Sequence, residues 1–426
     1  MSERVVIVGA GHAGMNAARA LRDEGWSGEI VVLSGESSAP YERPPLSKDF
    51  LLGTKTITDI AINTPDWFVQ NNVELRLNSH VESIDRSEAK VFIADGEGIS
   101  FDSLILATGS TALIPPIPGI DLPGVVSLRS AEESEHLQPR LIVGKKLVIL
   151  GGGLIGLEVA ATARSLDVEV TVLERADSIL TRMMPASISN EIQDLHRDRG
   201  TEIRVGVNVV AIEGDSSVQG VRSDTGEFFE ADTVLLAVGA KPRVALAEAA
   251  GLLVDDGILV NEHLQTSDRR IYAAGDIANF PTENGKRRLQ SWKSAIDQSA
   301  AIARNIVGSA LPFATVPWLW SDQFDKVVQV AGIPEASNIE IMRPLKDGGK
   351  MSFLLSPDGV LQAAAVFGDV SIVAKPLRVA TAMIEKKVSP IAEHLADPER
   401  DLKAILRASR DQVSEPQSLM AAAANQ

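Results

Sequence analysis

The chain of 426 residues is long enough for two or three domains, and its 45% hydrophobic and 23% charged residues are ordinary for an α/β protein. Its net charge of −16 argues against general binding to nucleic acid or to an anionic membrane. The absence of cysteine excludes disulfides, zinc–thiolate sites, iron–sulfur clusters held by this chain and any mechanism that needs a reactive thiol.

The opening segment has the pattern of a dinucleotide-binding βαβ unit. Val5 to Val8 and Ile30 to Leu33 are short β-branched runs typical of buried parallel strands, and a helix is predicted from Asn16 to Arg22. Three glycines follow the first strand in GxGxxG spacing, namely Gly9, Gly11 and Gly14. Glu36 lies just past the second strand, where a carboxylate accepts hydrogen bonds from a ribose. The glycines alone could form an ordinary turn, but the complete unit favours a dinucleotide site.

Short strands and a small-residue turn follow this unit. Pro65 begins a predicted helix, and strands are predicted at Val81 to Ile84, Lys90 to Ile93 and Ser103 to Leu106. The last strand leads into Ala107, Thr108 and Gly109. Such a turn allows the backbone to pass close to a flat or bulky group, although it could also be a plain strand end.

A second copy of the opening pattern begins after the proline-rich connection at Leu113 to Gly124. The pattern predicts a strand at Leu147 to Leu150, a helix from Leu154 to Leu166 and a strand at Val168 to Leu173, followed by Glu174. Its glycines are again in GxGxxG spacing, namely Gly151, Gly153 and Gly156. Two complete units predict two bound dinucleotides.

The rest of the chain repeats some of these features and then changes character. Thr233 to Gly239 is a second strand-then-glycine ending, and Ile271 to Asp276 places a carboxylate where it could reach a ribitol or ribose hydroxyl, or simply cap a helix. A helix is predicted from Trp292 to Val307. From Phe324 to Leu406 we predict a separate module in which short strands alternate with helices, followed by a flexible tail from Arg407.

Taken together, these segments resemble the FAD-dependent pyridine nucleotide–disulfide oxidoreductases. Within that fold they are similar to the NADH-dependent ferredoxin reductases that serve oxygenases and cytochromes P450. The match is strong from Arg4 to Ser321 and looser beyond. The subgroup resemblance lies in the PYERPPLSK run at Pro40 to Lys48, in Trp292 ahead of Gln298 on one helix, and in the WLWSDQ run at Trp318 to Gln323.

The resemblance implies an α/β fold with two Rossmann-like dinucleotide-binding domains, the NAD domain being inserted in the FAD domain, and a C-terminal α+β domain. The expected boundaries are residues 1–112 and 244–320 for the FAD domain, 113–243 for the NAD domain, 321–406 for the C-terminal domain and 407–426 for the tail.

The resemblance also implies a set of site residues and no metal site. Lys48 would pair with Glu158 beside the nicotinamide and the flavin, and Trp320 would lie near the flavin on the side that faces the electron acceptor. The implied FAD contacts are Gly9, Gly11, His12, Ala13, Gly14, Glu36, Arg43, Lys48, Val81, Ala107, Thr108, Gly109, Arg129, Gly275, Asp276, Ser291 and Trp292. The implied NAD contacts are Gly151, Gly153, Leu154, Ile155, Gly156, Glu158, Glu174, Arg175, Val238 and Gly239.

The implied reaction is electron transfer from NADH through FAD to a [2Fe–2S] ferredoxin. It needs no nucleophile and no general base, which suits a chain without cysteine or a histidine triad. Glu174 favours NADH because a carboxylate accepts from the 2′-hydroxyl and repels a 2′-phosphate, while the neighbouring Arg175 would soften this preference. Because such ferredoxins are usually acidic, a local basic patch would have to attract them, and the densest candidate is Lys286, Arg287, Arg288 and Lys293.

Two other functions share these fingerprints. One is an NADH oxidase or quinone reductase without a protein acceptor, and the other is an NADH-sensing flavoprotein similar to apoptosis-inducing factor. No apolar run reaches about 18 residues without a charge, so we expect no membrane span and a cytoplasmic protein. The sequence leaves open the partner ferredoxin and whether the protein is a monomer or a homodimer.

Overall fold

A computed structural model describes residues 3–181, 183–283, 285–309, 311–346 and 348–409. The chain forms two compact units, which we call unit 1 and unit 2. Unit 1 comprises Met1–Leu113, Ser127–Pro139 and Gly239–Thr315, and unit 2 comprises Ile114–Val126, Arg140–Val238 and Val316–Gln426. Among the described residues, no helix has the length and apolar character needed to cross a membrane.

Strands and helices are numbered in chain order. The first half contains β1 (Arg4–Val8), α1 (His12–Asp23), β2 (Glu29–Leu33), α2 (Pro65–Gln70), β3 (Val73–Arg76), β4 (Val81–Asp85), β5 (Lys90–Ile93), β6 (Gly98–Ser100), β7 (Ser103–Leu106), β8 (Ser110–Ala112), β9 (Val125–Ser127), α3 (Ala131–Leu137), β10 (Lys146–Leu150), α4 (Leu154–Ser165), β11 (Glu169–Leu173), α5 (Ala186–Asp198) and β12 (Glu202–Arg204). The second half contains β13 (Val209–Glu213), β14 (Gly220–Ser223), β15 (Phe228–Glu230), β16 (Thr233–Leu236), β17 (Ala240–Pro242), α6 (Ala245–Ala249), β18 (Ile258–Leu259), β19 (Ile271–Ala273), β20 (Ala278–Thr282), β21 (Gly285–Arg288), α7 (Trp292–Ile306), β22 (Trp318–Gln323), β23 (Lys326–Gly332), β24 (Ile339–Pro344), β25 (Lys350–Leu355), β26 (Leu361–Gly368), α8 (Val370–Glu385) and α9 (Ala392–Ala396).

Unit 1 is built on a parallel sheet of order β19-β7-β1-β2-β3. Its central strand β1 pairs in parallel with both β2 and β7, and Val5, Val6 and Ile7 are fully buried. The chain leaves β1 on one side toward β2 and returns on the other side at β7. The carboxyl end of β1 is therefore the switch point at which open α/β sheets bind their ligands.

The first helix begins at His12, four residues earlier than the pattern predicts, directly after the N-cap Gly11. It packs against α7, where the Ser299 hydroxyl donates to the Ala13 carbonyl at 2.7 Å. The sequence pattern missed this first turn because it contains Gly14, and glycine is a weak helix former. Tertiary packing makes the segment helical nonetheless.

Unit 2 repeats the design with a sheet of order β12-β11-β10-β16-β9. Here β10 pairs in parallel with β11 and β16, so the carboxyl end of β10 is the equivalent switch point. The helix α4 follows β10 directly and is buried along most of its length. The predicted fold class, α/β with two Rossmann-like domains and a C-terminal α+β domain, is confirmed. The predicted domain boundaries stay a prediction.

The C-terminal part of unit 2 differs in order from the prediction. Five strands come consecutively and form an antiparallel sheet of order β22-β23-β26-β25-β24, and α8 and α9 follow them. The predicted alternation of strands and helices was wrong, because antiparallel neighbours need only short turns and no crossover helix. Residues 402–409 are helical, so Arg407 to Ser409 of the predicted tail are ordered as helix, and residues 410–426 lie outside the described residues.

Candidate functional site

The first glycine fingerprint combines tight packing with one open position. A Cβ on Gly9 would lie 2.2 Å from the Ala107 carbonyl oxygen, and one on Gly14 would lie 1.8 Å from the Gly9 carbonyl oxygen. A Cβ on Gly11 would meet nothing within 4 Å, and no side chain caps the helix that begins there. The fold therefore needs the first and third glycines. The second leaves room beside the N-terminus of α1, which is suited to a diphosphate.

The second fingerprint has the same geometry. A Cβ on Gly151 would lie 2.5 Å from the Ala237 carbonyl oxygen, and one on Gly156 would lie 2.4 Å from the Gly151 carbonyl oxygen. Gly153 again has nothing within 4 Å of its Cβ position and caps α4 without a side-chain hydrogen bond. The next residues Leu154 and Ile155 open that helix, and Ile155 is exposed.

Glu36 is the centre of a charged cluster in unit 1. Its carboxylate accepts from the Tyr41 hydroxyl and from Arg43 Nη2, both at 2.5 Å. Burial alone would raise the pKa of Glu36, but the charge of Arg43 and these two hydrogen bonds outweigh burial and hold the pKa below its usual value. The carboxylate is thus ionised at neutral pH, and each of its oxygens retains capacity to accept from a ribose hydroxyl.

Further expected FAD contacts connect to the same cluster. Arg43 Nη1 donates to the Arg129 carbonyl at 2.7 Å, and the Arg129 guanidinium forms an ion pair with Asp276. The Ser110 hydroxyl also donates to Asp276, at 2.8 Å. Ser110 was missed by sequence reasoning, since nothing in its local pattern indicates a partner 166 residues away.

A second carboxylate that sequence reasoning missed is Glu42. Its Oε2 lies 2.5 Å from His12 Nε2 and accepts from Trp292 Nε1 at 3.1 Å. Burial alone would raise the pKa of Glu42, but the hydrogen bond and charge of His12 and the bond from Trp292 outweigh it and lower the pKa. The only available signal was the position of Glu42 inside the PYERPPLSK run. It joins the first residue of α1 to the first residue of α7.

The remaining expected FAD contacts also lie in unit 1. Ala107 and Thr108 follow β7, Thr108 Oγ1 donates to the Arg243 carbonyl at 2.8 Å, and Gly109 has nothing within 4 Å of its Cβ position. Val81 is the buried first residue of β4, and Lys48 directly follows a 3₁₀ turn at Pro44–Ser47. Ala13 is buried in α1, Gly275 donates its N–H to Gln298 Oε1 at 2.6 Å, and the Ser291 hydroxyl caps α7.

Glu174 directly follows β11 and lies beside the second glycine fingerprint. Its carboxylate accepts from the N–H of Gly152 at 2.7 Å and from the N–H of Ala176 at 2.8 Å. These bonds hold the carboxylate at the carboxyl edge of the sheet. Arg175 and Val238 are both exposed. Gly239 belongs to unit 1 and has a φ of +127°.

Glu158 is a buried carboxylate on α4, with 5% of its surface exposed. The Ser321 hydroxyl on β22 donates to Glu158 Oε1 at 2.5 Å. Trp320, the neighbour of Ser321, stacks on Trp318 with ring centroids 5.2 Å apart. Lys48 lies in unit 1, and its implied pairing with Glu158 stays a prediction.

The two sites fit FAD and NADH by the open glycine position at each helix N-terminus and by the acidic residue after each second strand. When bound, FAD supplies the redox chemistry, since a flavin takes up hydride from NADH and releases electrons singly. The residues around the two glycine fingerprints would bind the two diphosphates, and Glu36 and Glu174 would hold the ribose hydroxyls. Among the described residues, no group of three or more histidines and acids could hold a metal ion.

This fold and these sites define a flavin-dependent oxidoreductase that binds two dinucleotides and has no redox-active thiol. The chain belongs to the pyridine nucleotide-disulphide oxidoreductase family, whose model matches residues 3–299. A reductase C-terminal model matches residues 318–406. The family uses FAD and NAD(H), so the predicted enzyme class and cofactors are confirmed.

Similar proteins include ferredoxin reductases of oxygenase and P450 systems, as the resemblance implied. The chain is 37% identical to rhodocoxin reductase of Rhodococcus erythropolis, over 82% of each chain. It is 36% identical to the ferredoxin–NAD(+) reductase component of the anthranilate 1,2-dioxygenase system of Burkholderia cepacia, over 94% of this chain and 98% of that one. Among solved structures, the covalent putidaredoxin reductase–putidaredoxin complex matches with a TM-score of 0.89 and 33% identity, over 96% of this chain and 99% of that one.

Replacing Glu36 with alanine is expected to weaken FAD retention. The loss of charged hydrogen bonds to the ribose should cost about 1.5–3 kcal/mol, which is about a 10- to 150-fold weaker affinity. Flavin content after dialysis against high salt measures the effect. Tyr41→Phe is the matched control, because it removes a donor to Glu36 and leaves the carboxylate. Full flavin retention in Glu36→Ala would show that Glu36 is not the ribose ligand.

The enzyme is expected to prefer NADH to NADPH. Glu174 would meet a 2′-phosphate with a like charge, and we expect kcat/KM to favour NADH by about tenfold or more. Glu174→Ala should narrow this ratio, whereas Arg175→Ala should widen it by removing the nearby cation. Equal or higher kcat/KM with NADPH in the unchanged protein would contradict the assignment.

Proposed function

We propose that this protein is an NADH-dependent, FAD-containing ferredoxin reductase. It transfers electrons from NADH through FAD to a [2Fe–2S] ferredoxin that feeds an oxygenase or a cytochrome P450. The observation that carries the proposal is the repeated open glycine position, at Gly11 and Gly153, in a chain without cysteine. Two dinucleotides and no thiol leave the flavin as the redox centre of the chain.

The visible spectrum of the purified protein, taken before and after anaerobic addition of NADH, tests both cofactors. Oxidised flavin bands that bleach with NADH are the expected result. The acceptor is tested by steady-state reduction of cytochrome c with NADH. A ferredoxin reductase needs an added [2Fe–2S] ferredoxin for a high rate, so the rate should rise with ferredoxin and be low without it.

The same assay separates the two alternatives. An NADH oxidase or quinone reductase would turn over rapidly with oxygen or a quinone and gain nothing from ferredoxin. An NADH-sensing flavoprotein would be slow with every acceptor. Either outcome would overturn the proposed function while leaving the family intact.

Docking of the ferredoxin is proposed at the basic patch that includes Lys286 and Arg287. Lys286 is exposed on β21. Arg288 is less suited to a partner, because its guanidinium donates to the Asp256 carbonyl and carboxylate and to the Asp276 carbonyl. Lys293 forms an ion pair with Asp297 one turn along α7.

Changing Lys286, which is exposed, together with Arg287 to glutamine tests the patch. We expect the KM for ferredoxin to rise about threefold to tenfold, with a flatter salt dependence, because rim charges act mainly on association. Ferricyanide reduction with NADH needs no docking and should be unchanged. The pair Lys145 and Lys146, which form ion pairs with Asp232 and Glu230, is changed in the same way as the control. An unaltered KM and salt response would place the docking surface elsewhere.

We further propose a cytoplasmic location, and a monomer or a homodimer in solution. The three-domain division, with residues 113–243 inserted as the NAD domain and residues 321–406 as the C-terminal domain, belongs to the same proposal. It is supported by the two separate parallel sheets and the antiparallel sheet. Limited proteolysis with and without each dinucleotide would locate the boundaries.

A further inference from the structure

A continuous chain of buried hydrogen bonds leads from α5 to the carboxylate of Glu158. His196 Nε2 lies 2.8 Å from Gln323 Oε1, and Gln323 Nε2 donates to the Ser321 hydroxyl at 2.8 Å. The Ser321 hydroxyl in turn donates to Glu158 Oε1 at 2.5 Å. His196, Ser321 and Gln323 have no exposed surface. All four residues lie in unit 2.

The direction of donation along this chain is set by its two ends. Ser321 donates to the Glu158 carboxylate and accepts from the Gln323 amide N–H. The amide oxygen of Gln323 then accepts from His196 Nε2–H, so a proton lies on Nε2 of the histidine. Thr201 Oγ1 lies 3.5 Å from the other ring nitrogen of His196. Every donor therefore points toward Glu158.

The chemistry of the interior explains why such a chain is useful. A buried carboxylate is costly unless donors satisfy it, and aligned hydrogen bonds strengthen one another in a low-dielectric interior. Burial lowers the pKa of His196 to about 4, in spite of the hydrogen bond that its ring donates to Gln323, so the ring is neutral at pH 7. The hydrogen-bond chain thus begins at the neutral His196 ring and ends with the Ser321 hydroxyl donating to the Glu158 carboxylate.

We propose that Ser321, Gln323 and His196 are positioning residues that hold the Glu158 carboxylate charged and fixed for the reaction with NADH. The proposal rests on the proposed function and on the expected position of Glu158 beside the nicotinamide. Ser321 and Gln323 project from one face of β22, and the stacked Trp318 and Trp320 lie on its other face. The same strand therefore carries both Ser321, which donates to Glu158, and the tryptophan expected on the acceptor side.

A double-mutant cycle in the complete FAD-containing protein tests the proposal. Ser321→Ala removes the direct donor and should lower the limiting rate of flavin bleaching by NADH about tenfold, with unchanged flavin content. Gln323→Leu and His196→Gln should have progressively smaller effects, because they act through Ser321. In a Glu158→Ala background, Ser321→Ala should cause no further loss, since its target is gone.

Ser352→Ala is the matched control. Ser352 is also a buried serine on the C-terminal sheet, and its hydroxyl donates to the Glu340 carboxylate at 2.7 Å. The Ser352→Ala substitution removes a serine–carboxylate hydrogen bond that is not part of the hydrogen-bond chain leading to Glu158. The rate of flavin bleaching should therefore stay at the wild-type value. If Ser321→Ala lowers the rate equally with and without Glu158, or if Ser352→Ala lowers it as much, the proposal is overturned.

A second readout does not depend on activity. The sequence contains six histidines, so a long-range proton–nitrogen spectrum of protein labelled with ¹⁵N at histidine resolves them, and His196→Gln assigns the signal. We expect the Nε2–H tautomer of His196 to persist unprotonated down to about pH 5. A His196 signal that titrates near pH 6.5, or an Nδ1–H tautomer, would contradict the proposed direction of the hydrogen bonds from His196 to Glu158. Neither readout needs ferredoxin, so failure of ferredoxin reduction would overturn the proposed function alone.

Discussion

Replacing Gly11 with alanine is expected to remove most of the bound FAD while the fold of unit 1 is kept. Gly11 has a φ of −76°, which alanine adopts readily, and its Cβ would meet no protein atom within 4 Å. The added methyl group would instead occupy the space in which the FAD diphosphate approaches the backbone. Overpacking of this kind costs about 1–3 kcal/mol, so we expect a roughly 5- to 150-fold weaker affinity for FAD.

Flavin content and thermal unfolding of the apoprotein measure this prediction together. Gly14→Ala is the contrasting variant, because its Cβ would lie 1.8 Å from a backbone oxygen and should destabilise the apoprotein itself. Gly153→Ala is the matched control in the second fingerprint. It should retain FAD and raise the Kd for NADH. If Gly11→Ala retains full flavin and an unchanged affinity, the diphosphate does not pass this position.

Replacing Glu158 with alanine is expected to slow flavin reduction by NADH about 10- to 100-fold, because loss of a group that positions the reacting centres has an effect of this size. FAD content should stay intact, because Glu158 lies on α4 beside the second fingerprint and is not one of the expected FAD contacts. Stopped-flow bleaching at saturating NADH measures the limiting rate.

Glu158→Gln separates the two contributions of this side chain. It keeps an oxygen that accepts from Ser321 and removes the charge. A rate close to that of Glu158→Ala would show that the charge is what matters, and a rate close to wild type would show that position alone matters. Bleaching at the wild-type rate in Glu158→Ala would exclude Glu158 from the reaction with NADH.

The sequence by itself determined the two βαβ units. Short β-branched runs, glycines at fixed spacing and an acidic residue after the second strand are local patterns, and local backbone preferences and burial produce them. The predicted strand at Ser103 to Leu106 agrees with β7, and the predicted helix from Trp292 agrees with the start of α7. The absence of cysteine, which excludes thiol chemistry, was also visible at once.

Only the tertiary structure decided which side chains meet. Ser321 contacts Glu158 across 163 residues, and Arg129 reaches Asp276 across 147 residues. No periodicity or spacing encodes such pairs, because they depend on strand order and on the direction in which each side chain leaves its element. Likewise, the consecutive strands of the C-terminal sheet follow from antiparallel pairing between segments. The backbone hydrogen bonds of these strands form with neighbouring strands, and the sequence pattern of a single strand does not predict which strand it pairs with.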